Sequence, residues 1–131
     1  MVVSLVAGAL CTTAFVTRSS AATAPVSWWG FATPSRNIVC NFSYLGTKSL
    51  SCIVFSAARL EQGQKVWTLP ARGRPHVRFV VGNIGTEVPV LRYGRSWRRN
   101  SLSCISRRTG LTCRNRAGHG FTLSRERQQL F

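Results

Sequence analysis

A strand pattern begins at Asn37-Ile38-Val39-Cys40-Asn41-Phe42-Ser43-Tyr44 and resumes at Leu50-Ser51-Cys52-Ile53-Val54. In the first run every second side chain, starting with Ile38, lies on one face, because successive side chains of a strand point to opposite sides. The intervening Leu45-Gly46-Thr47 has the length and glycine content of a hairpin loop. Folding the chain there sets Cys40 opposite Cys52, at about 4.5–5.5 Å between Cα atoms, which is within reach of a disulfide.

A second pair of strands carries two further cysteines. Leu102-Ser103-Cys104 and Leu111-Thr112-Cys113 flank Arg108-Thr109-Gly110, where Gly110 can take the left-handed position of a bulged turn. Four cysteines allow three connectivities, and the sequence alone leaves the choice open. The two hairpins favour Cys40–Cys52 and Cys104–Cys113, and each short closed loop would contribute about 3 kcal/mol at most.

Zinc is a poorer explanation of these four cysteines. The sequence has no C-x-x-C pair, and neither His76 nor His119 lies at zinc-finger spacing from two cysteines. We therefore predict neither a metal nor a cofactor, and we assign disulfides to Cys40, Cys52, Cys104 and Cys113.

Short strands separated by Gly, Pro and Asn make up the rest of the body of the chain. The pattern predicts strands over 77–81, 96–106 (with a basic insert), 111–115 and 121–123. It predicts an edge strand over 88–91, because Pro89 cannot donate a hydrogen bond to a neighbouring strand. The fold class is therefore all-β: a small antiparallel sheet, a sandwich or a partly open barrel built from hairpins and stapled by two disulfides.

Three stretches and one repeat complete this assignment. Residues 57–64 have a mildly helical composition, and 70–75 form an exposed basic loop expected to lie remote from the other arginines. The tail from Arg125 is polar and is expected to fray or to form a turn of helix. Ser-Leu-Ser-Cys-Ile occurs at 49–53 and again at 101–105. We interpret this repeat as two hairpins of similar build.

The first 24 residues have the features of a secretory signal peptide. An apolar run extends from Val2 to Val16, and the small residues at 19–24 suit signal peptidase, with cleavage expected near 21–24. The run is shorter than the roughly 20 residues that cross a bilayer. A retained anchor and a lipoprotein acylated at Cys11 are the alternatives. The expected product is a single β-domain over 25–131, secreted and extracellular or held at the cell envelope, where thiols oxidise.

The chain is strongly basic. It has 18 Lys and Arg residues against three acidic residues, for a net charge of +15, and its only lysines are Lys48 and Lys65. A GC-rich genome would also produce such an arginine bias through its codons. Whatever its origin, a surface of this charge attracts polyanions, and the attraction weakens as salt rises.

Basic and aromatic residues alternate around the second pair of strands, and we predict a binding site there. Guanidinium groups form paired hydrogen bonds to phosphates, and an indole can stack at an interface. The alternative is a solvated basic face without a specific partner. Tryptophan is also a common core filler, and we expect most of the four to be structural. The predicted binding residues are Arg95, Trp97, Arg98, Arg99, Arg107, Arg108, Arg114 and Arg116.

Motifs near both ends of the predicted domain resemble a known family. The first is Phe31-Ala32-Thr33-Pro34-Ser35-x-Asn37-Ile38-x-Cys40, and the second ends with Gly118-His119-Gly120-Phe121-x-Leu123-Ser124-Arg125. They are similar to those of a family of small secreted proteins from high-GC Gram-positive bacteria, a domain of unknown function. Arg36 stands where that family usually has glycine. The resemblance implies a family and a secreted location, and it implies no activity.

An enzyme would have to be built from few residues. A serine triad needs an acid to orient its histidine, and the three glutamates are Glu61, Glu87 and Glu126. The strongest enzyme hypothesis is a small ribonuclease with Glu87 as base and His119 as acid. The glycines on both sides of His119 favour instead a tight turn in which the histidine makes a local hydrogen bond. We predict no catalytic residue, with His119 and Glu87 as the candidates for an enzyme.

The preferred hypothesis is therefore a non-enzymatic binder of anionic envelope polymers or lipid head groups. A small extracellular hydrolase and an inhibitor or toxin-like effector of a protein partner are the alternatives. Nucleic acid is expected to bind in vitro through charge, and the sequence identifies no specific protein partner.

Overall fold

The computed structural model describes residues 4, 7–15, 23–43, 47–57, 63–81 and 85–131. These residues contain ten strands and no helix. The strands form two antiparallel five-stranded sheets, so the all-β prediction is confirmed. In chain order they are β1 Gly30–Ala32, β2 Ile38–Ser43, β3 Ser49–Val54, β4 Gln64–Pro70, β5 His76–Val80, β6 Ser96–Arg99, β7 Leu102–Arg107, β8 Gly110–Arg114, β9 Gly120–Leu123 and β10 Gln128–Leu130.

Each sheet is a meander, in which strands that are neighbours in sequence are also neighbours in space. The first sheet has the order β1-β2-β3-β4-β5, and the second has the order β10-β9-β8-β7-β6. Such sheets are assembled from local hairpins, which short turns can connect.

Both predicted disulfides are confirmed. Cys40 on β2 is paired with Cys52 on β3, and Cys104 on β7 is paired with Cys113 on β8. The Cα atoms of each bonded pair lie 4.1 Å apart, as the close pairs of an antiparallel ladder do. The hairpin interpretation of the sequence therefore gave the correct pairing.

The two hairpin turns differ from each other. Residues 44–46 of the first lie outside the described residues, and Phe42 lies opposite Leu50. The second turn consists of two residues, because Arg107 pairs directly with Gly110. Gly110 has a φ of 141°, and a Cβ there would lie 2.6 Å from the carbonyl oxygen of Leu123. Glycine is required at this position for its conformation and for the approach of β9.

The disulfides occupy equivalent places in the two sheets. A row across the first sheet reads Phe31-Cys40-Cys52-Trp67, and a row across the second reads Phe121-Cys113-Cys104-Trp97. The repeated Ser-Leu-Ser-Cys-Ile segments supply the cysteine next to the tryptophan in both rows. The chain visits the two rows in opposite order, from phenylalanine in the first and from tryptophan in the second. Copying one segment in tandem would not reverse that order.

The two rows meet in one hydrophobic core, which makes the fold a sandwich. The ring centroids of Phe31 and Trp97 lie 5.4 Å apart, and those of Phe42 and Trp97 lie 6.1 Å apart. Such ring pairs stabilise a core by about 0.5–1.5 kcal/mol beyond the area they bury. Trp67 and Trp97 are both buried, whereas Trp28 and Trp29 are exposed, so two of the four tryptophans fill the core and not most of them. These contacts join the first sheet to the second.

Strand β4 was missed by the sequence analysis. Its residues Val66, Trp67, Thr68 and Leu69 are all buried, so its burial does not alternate. Trp67 and Leu69 belong to the main core. Val66 belongs to a smaller cluster on the other face, with Ala32, Val39 and Ile53. A strand that is covered on both faces lacks the two-residue period from which strands are predicted.

Residues 85–88 lie over this smaller cluster on the outer face of the first sheet. Val88 packs against the cluster, and Asn41 Nδ2 donates to the Gly85 carbonyl oxygen at 3.0 Å. The chain then pairs with β1 through a single parallel bridge between Ala32 and Val90. The predicted edge strand at 88–91 thus lies at a sheet edge but is reduced to one bridge.

Three other predictions require correction or completion. The predicted strand 96–106 is a hairpin, because β6 and β7 are separated by a turn in which Asn100 has a φ of 54°. The tail from Arg125 neither frays nor forms a helical turn, since β10 pairs with β9. Within 57–64, Gln64 belongs to β4, whereas 58–62 lie outside the described residues.

The region assigned to a signal peptide is described only in part. Residues 4 and 7–15 have no regular secondary structure, and Leu10 and Phe15 are exposed. Cys11 is a free, exposed thiol. Within the part of the chain that the structure describes, no helix has the length and apolar character needed to cross a bilayer. Residues 16–22, which include part of the predicted cleavage region, lie outside it.

We predict that changing Cys104 and Cys113 together to alanine lowers the free energy of unfolding by about 3 kcal/mol, because a disulfide between residues nine apart restrains the unfolded chain. Urea unfolding of the oxidised full chain measures this loss. Cys11→Ala is the matched control and should change stability by less than about 0.5 kcal/mol. Equal losses from both changes would contradict the prediction.

Candidate functional site

The predicted arginine cluster does not form a single surface. Arg98 and Arg114 share the outer face of the second sheet, because both pair with Ser103, from opposite sides. With about 4.8 Å between neighbouring strands, their Cα atoms lie roughly 10 Å apart. Both side chains are exposed, and they border a depression of about 330 Å³ on this face.

The loop that follows β4 extends this basic surface. Ser101 Oγ donates to the Ala71 carbonyl oxygen at 2.9 Å, and Asn115 Nδ2 donates to the Gly73 carbonyl oxygen at 2.8 Å. These bonds bring the loop with Arg72 and Arg74 against the turns of the second sheet, so the prediction that this loop is remote was wrong.

We call this surface the basic end. Arg98 and Arg116 border a shared depression of about 260 Å³ there. The segments 71–75, 98–103 and 114–118, which form it, have no acidic residue. Its members are the five exposed arginines Arg72, Arg74, Arg98, Arg114 and Arg116.

Two predicted binding residues instead hold the amino-terminal segment in place. Trp97 is fully buried, and its indole N–H donates to the Trp28 carbonyl oxygen at 2.7 Å. Arg99 is half-buried, with its guanidinium 3.9 Å from the centre of the Trp29 ring. Its Nε donates to the Ser27 carbonyl oxygen at 3.1 Å. Trp97 is therefore not available for stacking at a surface, because strand alternation turns it inward.

Arg95 lies apart from the basic end. It is half-buried, and its Nε is a buried donor without a hydrogen-bond partner in the described part of the protein. With Arg92 and Trp28 it borders a depression of about 170 Å³ between residues 26–28 and 90–92.

Arg107 and Arg108 lie at the other end of the second sheet, in what we call the turn cleft. This cleft of about 200 Å³ is bordered by the β7–β8 turn, the β1–β2 loop, Tyr93 and the start of the β9–β10 turn. Arg125 also borders it, although it is not among the binding residues predicted from the sequence. The pairing of β10 with β9 turns the tail back and brings Arg125 to the cleft.

Hydrogen bonds between turns fix the walls of the turn cleft. Asn37 Nδ2 donates to Ser56 Oγ at 3.0 Å, and Ser56 N–H donates to Asn37 Oδ1 at 2.9 Å. Ser56 Oγ in turn donates to the Arg125 carbonyl oxygen at 2.6 Å. Arg36, in the same loop, has a φ of 55°, a region that glycine occupies most easily.

His119 lies in the turn between β8 and β9, which is organised by Asn115. The Asn115 Oδ1 accepts hydrogen bonds from the backbone N–H groups of Ala117 at 3.0 Å and His119 at 3.2 Å. Gly118 has a φ of 85°, so the predicted tight turn is present. The hydrogen bonds found at His119 are made by its backbone.

Glu87, the other candidate for catalysis, is exposed in the segment over the first sheet, whereas His119 belongs to the second sheet. Neither residue borders any of the four depressions described above. In the described residues, no three His, Cys, Asp or Glu side chains are grouped as metal ligands would be.

We predict that Asn115→Ala lowers the free energy of unfolding by about 2–4 kcal/mol. This side chain is buried and makes four hydrogen bonds, and each typically contributes about 1 kcal/mol. His119→Ala should cost less than half as much, because it leaves the backbone bonds in place. Chemical denaturation of both variants measures the difference. A larger loss at His119 would show that its imidazole, and not Asn115, organises the turn.

Comparison with known protein families gives one finding. The model of the "Family of unknown function (DUF6636)" matches residues 64–131, from the start of β4 to the end of the chain. The match covers more than half of the sequence and includes the whole second sheet. No curated protein and no solved structure matches the chain.

Proposed function

Since the chain belongs to DUF6636, a family whose description assigns no activity, we infer its role from its surface and propose a secreted binder of polyanions. The partner is a phosphate-bearing surface of the cell envelope, either an anionic polymer or lipid head groups. The observation that carries the proposal is the basic end, where five exposed arginines from one sheet face and two neighbouring loops are gathered.

The geometry of the basic end suits a repeated anion better than a small ligand. Its arginines are spread over a sheet face and two loops, and neighbouring members such as Arg98 and Arg114 have Cα atoms roughly 10 Å apart. The segments that form the basic end contain no acidic residue, so these like charges repel one another without compensation. A polyanion or an anionic membrane relieves this repulsion at several points at once.

The disulfides support the extracellular part of the proposal. Disulfides persist in oxidising compartments and are rare in the cytosol. Both bonds join buried cysteines, and Cys11, the one free cysteine in the described residues, belongs to the segment that a signal peptidase would remove.

We predict that Arg98→Ser together with Arg116→Ser weakens binding to phosphatidylglycerol vesicles by about 10- to 30-fold, since each arginine near an anionic surface contributes about 1 kcal/mol. Vesicle co-sedimentation at about 0.05 M and about 0.5 M NaCl measures the affinity, which should fall steeply with salt for the wild type. A glycerol phosphate polymer in place of vesicles distinguishes the two kinds of envelope partner.

Two further pairs of substitutions distinguish a localised binding site from an effect of net charge alone. Arg72→Ser with Arg74→Ser should weaken binding as strongly as the first pair, because the loop is bonded to the same end. Arg78→Ser with Arg127→Ser removes the same charge from the first sheet and from the β9–β10 turn, and should change binding less than about threefold. Equal losses from all three pairs would mean that only net charge matters and would overturn the proposed site.

A further inference from the structure

The turn cleft has the composition of a binding site for a single phosphate group. Three arginines border it, Arg107, Arg108 and Arg125, together with the hydroxyl-bearing residues Ser35 and Tyr93. No acidic side chain borders it, since the neighbouring Glu126 is not one of its lining residues. We propose that this cleft binds a phosphomonoester or inorganic phosphate.

This site is separate from the basic end and does not depend on the proposed function. Both lie on the second sheet, but Arg107 is four residues further along β7 than Ser103, which lies between Arg98 and Arg114. At about 3.3 Å per residue, the two positions are roughly 13 Å apart. One rigid ligand group cannot contact both.

The Arg108 side chain and the backbone of the surrounding loops are held in place before a ligand arrives. The Arg108 guanidinium lies 5.0 Å from the centre of the Tyr93 ring, so a cation–π contact orients the group while N–H donors stay available. The β1–β2 loop is closed by Thr33 Oγ1, which accepts from the Ile38 N–H at 3.3 Å. Ser56 ties that loop to the backbone of Arg125. Preorganised donors lose little conformational entropy on binding.

The number of donors selects phosphate over carboxylate. A carboxylate has two oxygens and is satisfied by one guanidinium fork. Three guanidinium groups and two hydroxyls offer more donors than a carboxylate can use, whereas a phosphomonoester presents three terminal oxygens and about two negative charges near neutral pH. A phosphodiester in a polymer has one charge and fewer free oxygens, so it fits this cleft less well.

Calorimetric titration of the full chain with inorganic phosphate, glycerol 3-phosphate and acetate tests the proposal. We expect saturable one-to-one binding of phosphate or glycerol 3-phosphate and at least about tenfold weaker binding of acetate. A preference for glycerol 3-phosphate assigns an alcohol-borne phosphate, and a preference for inorganic phosphate assigns the free ion. Amide NMR shifts should move at Gly110 and Ser124, which border the cleft.

Variants locate the binding. Arg108→Ala should weaken phosphate binding at least about tenfold, and Arg108→Lys should do so by less, because it keeps the charge and loses the fork. The pair Arg98→Ser with Arg116→Ser should leave it within about twofold, since those residues lie outside the cleft. If Arg108→Ala does not fold, Arg107→Ala takes its place, with a thermal unfolding midpoint as the check. Absence of saturable binding, or equal losses from cleft and basic-end variants, would overturn the proposal.

Discussion

The structure depends on one arrangement: two rows of Phe, Cys, Cys and Trp, one in each sheet, facing each other across a shared core. Each disulfide fixes the register of its own hairpin, and register decides which side of a sheet every other residue faces. A one-residue slip of β8 against β7 would turn Cys113 to the surface and the neighbouring Arg114 inward. The positions of the basic side chains therefore follow from bonds made in the core.

Because of that register, the charge of this chain is divided between separate surfaces. Alternation along β6 sends Arg98 outward and Arg99 toward Trp29 and the Ser27 carbonyl oxygen. In the meander, the β6–β7 and β8–β9 turns lie at the basic end, and the β7–β8 and β9–β10 turns lie at the turn cleft. A dispersed surface and a compact cleft suit different ligands, an extended polyanion and a single phosphate group. In our two proposals the same residue type therefore meets two kinds of ligand at the two ends of one sheet.

The sequence predicted what depends on local spacing and missed what depends on distant contacts. Cys40 and Cys52 lie on adjacent strands joined by a short loop, so alternation and loop length were enough to pair them. Strand β4 could not be predicted because both of its faces are buried and its side chains do not alternate. Residues 85–88 cover one face and the second sheet covers the other. Strand β10 could not be predicted from its composition, because its residues are mostly polar. Its hydrogen-bonded pairing with β9 is what makes this segment a strand. The position of Arg125 at the turn cleft and that of Arg72 at the basic end likewise depend on contacts between residues distant in sequence.

The spacing of the disulfides also bears on how the oxidised chain is reached. Each disulfide joins two cysteines that are nearest neighbours along the body of the chain, at separations of 12 and 9 residues. Short loops close with the least loss of chain entropy, so native partners meet more often than any competing pair. If the chain emerges from its amino-terminal side into an oxidising compartment, Cys40 meets Cys52 before Cys104 and Cys113 have appeared. Such a chain reaches its native pairing without reshuffling through wrongly bonded isomers.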